Sequence, residues 1–306
     1  MNGIARPRTL ILDIYGAYVR KLGSWLAVSD LVALMGHLDV DKQSVRSAIS
    51  RMNRRGLIEK EKRGSVSGYR LADSTLKRMA RGDQRIFNPV EPGQPAQGWV
   101  LVSFSIPEQI RERRHLIRSR LTWLGFGNVS GGLWIAPAAR LPDLLDAAEY
   151  NGFARDIDVF EGRYRGGDDI RALVQRAWDL PSMNRLYQTF LGQCEPIREH
   201  WRTFSPDEDT RRAFVDYTYC LHRWRKLPFL DPGLPAELLP DDWLGQEASV
   251  AFFALRALLE GPANQFVQAT VHSTMSVLAG GFTPRASRSA RSSIAAAHAG
   301  SSRLVV

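Results

Sequence analysis

The stretch from Asp41 to Gly64 (DKQSVRSAISRMNRRGLIEKEKRG) carries the side chains of this sequence that are best suited to binding an anion. Eight of its residues are Lys or Arg, and only Asp41, Glu59 and Glu61 oppose them. Guanidinium and ammonium groups bind phosphate oxygens, and Arg, Gln and Ser side chains also hydrogen-bond the edges of bases in a DNA groove. The composition of this stretch therefore predicts contact with a polyanion.

A helix that begins at Lys42 would separate these residues onto two faces. Asp41 is placed to cap its first amide groups, and apolar residues follow at the spacing i, i+3, i+4 and i+7 from Val45 to Met52. The other face lacks acidic residues, whereas a solvated helix face usually mixes charges of both signs. The residues of this face that we predict to bind DNA are Lys42, Gln43, Arg46, Ser47, Ser50, Arg51 and Arg54.

The neighbouring segments predict the elements that would position this helix. Two amphipathic helices precede it, the second with Ser29 as its cap, and Gly56 ends the basic helix. The following residues, LIEKEKRGSVSGYRL, predict a hairpin with Gly64 and Gly68 at its corners. Three helices and a basic hairpin within residues 1–87 predict a winged helix-turn-helix, in which the third helix enters the major groove and the hairpin lies beside the backbone. The hairpin residues that we predict to contact phosphates are Arg63, Ser65, Ser67 and Arg70.

The positive charge of the chain is concentrated near its start. Residues 1–90 contain 17 Lys and Arg against 8 Asp and Glu, while the rest contains 24 of each, so the whole net charge of +9 lies in the first third. A basic excess confined to one segment favours a surface that binds nucleic acid. The sequence leaves one alternative open, namely that the helix and hairpin are an ordinary basic surface of some other assembly.

The remaining residues predict four further segments, which make the fold class α+β and multidomain. A linker rich in Pro and Gly covers residues 88–98. Residues 99–166 alternate strands and helices in the order βαββαβ, which predicts a ferredoxin-like domain. Apolar residues three and four apart predict an all-α domain over 167–282. Residues 283–306 are rich in Ser, Ala and Arg and predict a disordered basic tail.

Several kinds of site are absent from the sequence. No apolar run reaches the roughly 18 residues of a membrane span, so we expect no membrane partner. Cys194 and Cys220 are the only cysteines, which favours a reducing cytoplasm. Together with His200 and His222 they lack the close spacing of metal ligands, and no catalytic motif stands out. We predict a cytoplasmic protein without catalytic residues, a metal or a cofactor.

Four stretches give the sequence a specific resemblance. They are ARPRTLILDIYGAYVR at the start, SVRSAISRMNRRGLI leading into GYRL, RHLIRSRLTWLGFGNVSGGLWIAP in the middle, and HRWRKLPFLDPGLPAELLPDDWLGQEA near the end. With these stretches the chain resembles the PaaX family of phenylacetic acid degradation regulators over residues 5–280. The resemblance implies a repressor of aromatic catabolic genes that binds double-stranded operator DNA as a homodimer. It also implies release from the operator by an aryl-CoA thioester such as phenylacetyl-CoA.

An effector of this type needs cations for its phosphates and an aromatic slot for its acyl ring. The fourth stretch and the helix before it supply both kinds of side chain. An alternative is that these aromatic residues only pin a proline-rich loop to the core, as buried aromatics commonly do. The residues that we predict to bind the effector are Tyr217, His222, Arg223, Trp224, Arg225, Lys226 and Trp243.

The middle segment allows a second kind of function. In the family it is similar to small CRISPR-associated nucleases, which hold a metal with an aspartate at the end of the first strand. Here that position offers Ser103 and Ser105, with no acidic residue before Glu108, so metal-dependent cleavage is disfavoured. The alternative of a metal-dependent nucleic-acid-processing enzyme stays open. A second basic run predicts a helix face that binds DNA or effector phosphates, or is merely solvated, through Arg111, Arg114 and Arg118.

Overall fold

The computed structural model describes residues 6–88, 98–166 and 169–280. We refer to these three ranges as the head, the middle domain and the helical bundle. Nearly all of the predicted linker and the whole of the predicted tail, 283–306, lie outside the described residues.

The head combines four helices with a small antiparallel sheet. Its strands are arranged in the order β1-β3-β2, so the hairpin strands β2 and β3 are joined by a short strand that lies earlier in the chain. That short strand and the last helix are elements that we did not predict. The head elements are α1 (Pro7–Ala17), β1 (Trp25–Ala27), α2 (Val28–Gly36), α3 (Lys42–Arg54), β2 (Ile58–Arg63), β3 (Val66–Leu71) and α4 (Asp73–Phe87).

Two predicted details of the head are wrong. Ser29 does not cap α2, because the helix begins one residue earlier at Val28, and the Ser29 hydroxyl instead donates to the Asp30 carboxylate at 3.2 Å. Gly68 is not at a corner of the hairpin, because it lies inside β3. A glycine is needed there, since a Cβ would lie only 2.4 Å from the ring of Trp25.

The middle domain is a four-stranded antiparallel sheet with two helices. Its strands are arranged in the order β5-β6-β4-β7, and the chain follows the predicted sequence of strand, helix, strand, strand, helix and strand. Ile110 lies in a turn before the helix and is 52% exposed. The elements are β4 (Trp99–Ser103), α5 (Arg111–Trp123), β5 (Gly127–Ser130), β6 (Leu133–Pro137), α6 (Leu141–Tyr150) and β7 (Asp158–Gly162).

The third described range is helical, as predicted, but its second and last helices are longer than the sequence suggested. Both contain an internal proline, Pro196 and Pro262, which removes one backbone donor without ending the helix. The helices are α7 (Ile170–Ala177), α8 (Leu180–Thr203), α9 (Thr210–Trp224), α10 (Leu227–Leu230) and α11 (Gly245–Gly280).

The head and the helical bundle share one hydrophobic core, although their sequences are separated by the middle domain. Buried residues of α1, α2 and α3 belong to the same cluster as buried residues of α8, α9 and α11. Polar contacts also cross this boundary, since the Tyr18 and Thr218 hydroxyls are hydrogen-bonded at 2.9 Å and Trp224 donates to the Ile86 carbonyl at 2.8 Å. The middle domain has a core of its own. A change in the bundle can therefore reach the head by direct packing.

A buried arginine joins all three parts of the chain. Arg85, on α4 of the head, donates to the Asp143 carboxylate at 2.7 Å and to the Leu124 carbonyl at 3.2 Å in the middle domain. The same side chain donates to the Pro228 carbonyl of the bundle at 2.8 Å. Because a planar guanidinium can satisfy several acceptors at once, this one residue contacts all three parts.

Candidate nucleic-acid interface

Helix α3 is anchored by its apolar face and capped at its start. Val45, Ala48 and Met52 are fully buried in the core shared by the head and the bundle. The Asp41 carboxylate accepts a hydrogen bond from the Ser44 amide at 2.9 Å, which confirms the predicted cap. The hydrogen bonds from Ser44 also lower the pKa of Asp41, because they stabilise its charged form. The orientation of the helix is therefore fixed before it meets any partner.

The opposite face of α3 is turned fully to solvent. All seven of its predicted DNA-binding residues are exposed, and four of them are cations. None of these four forms an ion pair with a carboxylate among the described residues. A helix face with exposed, uncompensated arginines beside Gln and Ser can hydrogen-bond both phosphates and base edges. The predicted face members are Lys42, Gln43, Arg46, Ser47, Ser50, Arg51 and Arg54.

The hairpin of β2 and β3 is attached firmly to the head. The Tyr15 hydroxyl of α1 donates to the Tyr69 carbonyl at 2.8 Å, and the Trp25 indole donates to the Glu61 carbonyl at 3.2 Å. Ser65 is exposed at the tip, whereas Ser67 is half-buried. The tip of the hairpin is thus the part that extends furthest from these anchors.

Two hairpin arginines, both predicted to contact phosphates, have partners within the protein. Arg63 lies 4.7 Å from the centre of the Trp25 ring and is paired with Glu61 at 2.8 Å. Arg70 is bound by Asp73 at 3.1 Å and also by Glu59 and Glu61, which together raise the pKa of its guanidinium. Because its guanidinium is already held by carboxylates, a phosphate would have to compete with them for Arg70, and its phosphate contact stays a prediction.

The hairpin does present two other free cations, which the sequence-based set omitted. Lys60 and Lys62 are exposed on β2 and form no ion pair with a described carboxylate. They alternate along the strand with Glu59 and Glu61, which bind Arg70. The alternation of Lys and Glu in the sequence could have indicated these two lysines, because residues two apart on a strand point to the same face.

The seven predicted effector residues do not converge on one open pocket. Tyr217 and Trp224 are buried in the shared core, and Trp224 stacks on Phe252 with a centroid distance of 4.8 Å. Trp243 is half-buried and packs edge-on against Tyr187 at 5.6 Å. Both rings are already covered by protein, so an effector could reach Tyr217 and Trp224 only if the core opened, and their role in an effector slot stays a prediction.

The charged members of the effector set have different roles. His222 and Arg225 contact one carboxylate, as described below, and Arg223 lies over the Tyr219 ring with its guanidinium 5.6 Å from the ring centre. Lys226 is exposed at the end of α9. Of the predicted set, Arg223 and Lys226 are the cations that remain accessible to an anionic ligand.

A buried carboxylate links the head to the bundle. Asp13 on α1 is 3% exposed as a side chain, and its two oxygens lie 2.6 Å from His222 Nδ1 and 2.6 Å from Arg225 Nε, both at the end of α9. Breaking a buried ion pair by removing one partner is costly because the other charge loses its compensation. We call this group the Asp13 clamp.

We expect Asp13→Ala to lower the free energy of unfolding by about 3 kcal/mol, at the lower end for a buried pair, because the two partners keep partial contact with water. Urea denaturation followed by tryptophan fluorescence measures this change. Asp207→Ala, at an exposed position without an ion pair to a described residue, is the control and should match the wild type. A wild-type midpoint for Asp13→Ala would show that the clamp is not a stabilising link.

The residues near the end of β4 are those that bear on the alternative of a metal-dependent enzyme. Ser103 is half-buried, Ser105 is exposed, and Glu108 is paired with Arg114 at 2.8 Å. Within the described ranges, no three His, Cys, Asp or Glu side chains lie together as a metal site would require. Cys194 and Cys220 are buried and hydrogen-bonded to each other, and His200 stacks on Phe204 instead.

The second basic run lines a shallow open cleft of about 500 Å³ along α5. Arg111 and Arg118 are exposed there beside His115, while Arg114 is held by Glu108 and by the Ile106 carbonyl. An exposed cleft with two free arginines is compatible with either a phosphate ligand or a solvated face, so it stays a prediction. Among the described residues, no helix is both long enough and apolar enough to span a bilayer.

Comparisons with known proteins agree with this division of the chain. The family described as PaaX-like protein matches residues 6–75, the PaaX protein central Cas2-like domain matches 92–174, and the PaaX-like protein C-terminal domain matches 178–269. The transcriptional repressor PaaX of Escherichia coli (strain K12) is 27% identical over 243 residues, which are 78% of this chain and 76% of that protein.

A solved structure, an uncharacterized protein from Mycobacterium tuberculosis, shares the fold with a TM-score of 0.52 at 22% identity. The match covers 84% of this chain and 96% of the Mycobacterium tuberculosis chain. The three family matches follow one another along the same chain in the order of head, middle domain and bundle. The chain belongs to the PaaX family, and it is a transcription regulator rather than an enzyme.

Proposed function

We propose that this protein is a repressor of phenylacetate-type catabolic genes that binds double-stranded operator DNA through α3. The observation that carries the proposal is the exposed face of α3, whose four cations have no carboxylate partner among the described residues. In this proposal the head is a winged helix-turn-helix, α3 enters the major groove, and the hairpin lies beside the phosphate backbone. A cytoplasmic location of the protein is part of the proposal.

The contacts of the proposed interface divide into two kinds. Arg46, Ser47 and Ser50 lie in the middle of the exposed face of α3, and we assign them together with Gln43 to base edges. We assign Lys42, Arg51 and Arg54, at the two ends of the face, to phosphates or to flanking bases, and the hairpin tip to the backbone through Ser65, Lys60 and Lys62. Base contacts set specificity, whereas phosphate contacts set register and salt dependence.

We also propose that the middle domain is ferredoxin-like and that the protein works as a homodimer. The ferredoxin-like fold is supported by the strand order β5-β6-β4-β7 with two crossover helices. The homodimer is supported by the family alone. A dimer would place two α3 helices on two half-sites of a palindromic operator.

The effector that we propose is an aryl-CoA thioester such as phenylacetyl-CoA, on the strength of the family. Ligand control requires that the effector binds the DNA-free arrangement more tightly, and a tenfold loss of operator affinity needs about 1.4 kcal/mol of differential binding. The shared core offers a route for this coupling, because α9 touches α1 through Tyr18, Thr218 and the Asp13 clamp. A ligand that shifts α9 would therefore also move the part of the head that packs against α9.

Fluorescence anisotropy tests the effector proposal. A labelled fragment of the promoter of the protein's own gene is titrated with pure protein at fixed salt, with and without phenylacetyl-CoA, free phenylacetate and plain CoA. We expect the thioester alone to release the DNA. Binding that all three compounds leave unchanged would reject the effector while leaving the repressor standing.

A further inference from the structure

Three arginines from separate head elements come together where the head meets the middle domain. Arg8 lies in the first turn of α1, Arg55 directly follows α3, and Arg78 is on α4. Burial, followed by the positive charges of Arg55 and Arg78, lowers the pKa of Arg8. Arg8 therefore lies near enough to both Arg55 and Arg78 for their charges to act on it. We call the three residues the arginine triad.

The triad has no internal counter-charge. None of the three forms an ion pair with a carboxylate among the described residues, although arginines close by do, as in the pair of Arg81 and Asp146 at 3.4 Å. Arg55 gains something from its place at the carboxyl end of α3, where the helix dipole favours a cation. The dipole gives no such support to Arg8 and Arg78, so the charges of these two arginines have no counter-charge among the described residues.

An aromatic side chain of the middle domain completes the group. Tyr150, the last residue of α6, is 57% exposed, and the Arg78 guanidinium lies 5.3 Å from its ring centre. Arg78 also donates a hydrogen bond to the Tyr150 hydroxyl. Because that oxygen is already accepting, its own hydrogen is free to donate to another acceptor.

The position of the triad indicates which anion it meets. Arg55 follows Arg54, the last cation on the exposed face of α3, so one member of the triad lies at the end of that basic surface. Arg78 contacts the middle domain at Tyr150. A duplex lying along α3 carries a phosphate roughly every 3.4 Å along each strand, which places phosphates beyond the end of the helix as well.

We propose that Arg8, Arg55, Arg78 and Tyr150 form a second contact with the DNA phosphate backbone, next to the groove that α3 reads. The middle domain then belongs to the DNA interface through Tyr150, and its orientation affects operator affinity. This inference rests on the proposed function, since it assumes that α3 binds DNA.

The salt dependence of DNA binding tests the proposal. Arg8→Gln, Arg55→Gln, Arg78→Gln and the triple variant are titrated by anisotropy against promoter DNA and against a scrambled duplex between 50 and 200 mM salt, roughly the range in which counterion release is strong. Each single change is expected to reduce the slope of log K against log salt by about 0.9, and the triple change by about 2 to 3, on both DNAs. The preference for promoter over scrambled DNA should remain.

Controls separate this idea from the proposed function. Arg176→Gln removes an exposed, unpaired arginine of α7 and should leave the salt slope unchanged. Tyr150→Phe keeps the aromatic ring but removes the hydroxyl, and it should weaken DNA binding about threefold at low salt, as expected for one lost hydrogen bond. Thermal unfolding confirms that each variant is folded. A wild-type slope for the triple variant overturns the proposal, as does a triple variant that loses phenylacetyl-CoA binding but not DNA binding. A wild type without sequence preference rejects the proposed function, while the slopes still report on the triad.

Discussion

Replacing Arg46 and Arg51 together with alanine is expected to weaken binding to the operator roughly 30-fold to more than 1,000-fold, since each well-placed base or phosphate contact of an arginine contributes about 1–3 kcal/mol. Both residues are exposed and unpaired on α3, so the substitution leaves no buried group without a partner. The loss should therefore be one of binding and not of folding. Anisotropy against the operator and a scrambled duplex measures both affinity and preference.

The matched control is the double variant Arg171→Ala with Arg176→Ala. It removes the same charge from exposed positions on α7 and should bind DNA as the wild type does, apart from a small general electrostatic effect. If the α7 variant loses as much affinity as the α3 variant, total charge governs DNA binding. The assignment of the DNA-binding surface to the exposed face of α3 would then be wrong.

Trp224→Ala is expected to lower the free energy of unfolding by about 3–5 kcal/mol, because it empties a large volume in the shared core. Trp224 is 0% exposed, it stacks on Phe252, and its indole donates to the Ile86 carbonyl of the head. The substitution leaves a cavity and an unsatisfied carbonyl together. Since this residue joins α9 to α4, the head and the bundle should lose stability as one unit.

Urea denaturation followed by circular dichroism and by fluorescence measures this effect. Trp123→Ala is the control, because Trp123 is 37% exposed and stacks on Phe229 at the surface, so its loss should cost clearly less. The two probes should give coincident transitions for the head and the bundle in the wild type. A separate early transition of the head, unaffected by Trp224→Ala, would contradict the shared core.

The local features of the reading head were predictable from the sequence. The cap at Asp41 and the apolar spacing from Val45 to Met52 depend on residues that lie no more than four positions apart in the sequence. Both features are found in the structure. The strand and helix order of the middle domain follows from similar short-range patterns. These signals are strong because the periods of helix and strand are set by backbone geometry alone.

Most of the features that failed depend on contacts between distant parts of the chain. Asp13 and His222 are separated by 209 residues, so no spacing in the sequence indicates that they meet. Strand β1 has only three residues, too few to show a period. This strand and the contact of Asp13 with His222 depend on tertiary packing rather than on local propensity. Helix α4, in contrast, has apolar residues at helical spacing, so it was predictable from the pattern and was overlooked.

The composition of the predicted effector site was also ambiguous for a physical reason. A tryptophan near cations is equally suitable for a ligand slot and for a buried anchor, and Trp224 is buried as an anchor in the structure. Arg70 is ambiguous in the same way, because an arginine can bind either a phosphate or a carboxylate of the protein. In the structure it is paired with the carboxylates of Glu59 and Asp73. Residue type sets what a side chain can do, and only its neighbours decide which of these it does.

The central claim is that the exposed face of α3 recognises a DNA sequence. The most direct test selects bound duplexes from a random pool with the wild-type protein and then measures the affinity for the selected sequence against a scrambled duplex at about 150 mM salt, near the physiological value. We predict a preference of at least about 1,000-fold that falls sharply in the Arg46→Ala variant. Equal affinity for both duplexes, or a selected preference that Arg46→Ala leaves intact, would contradict the claim.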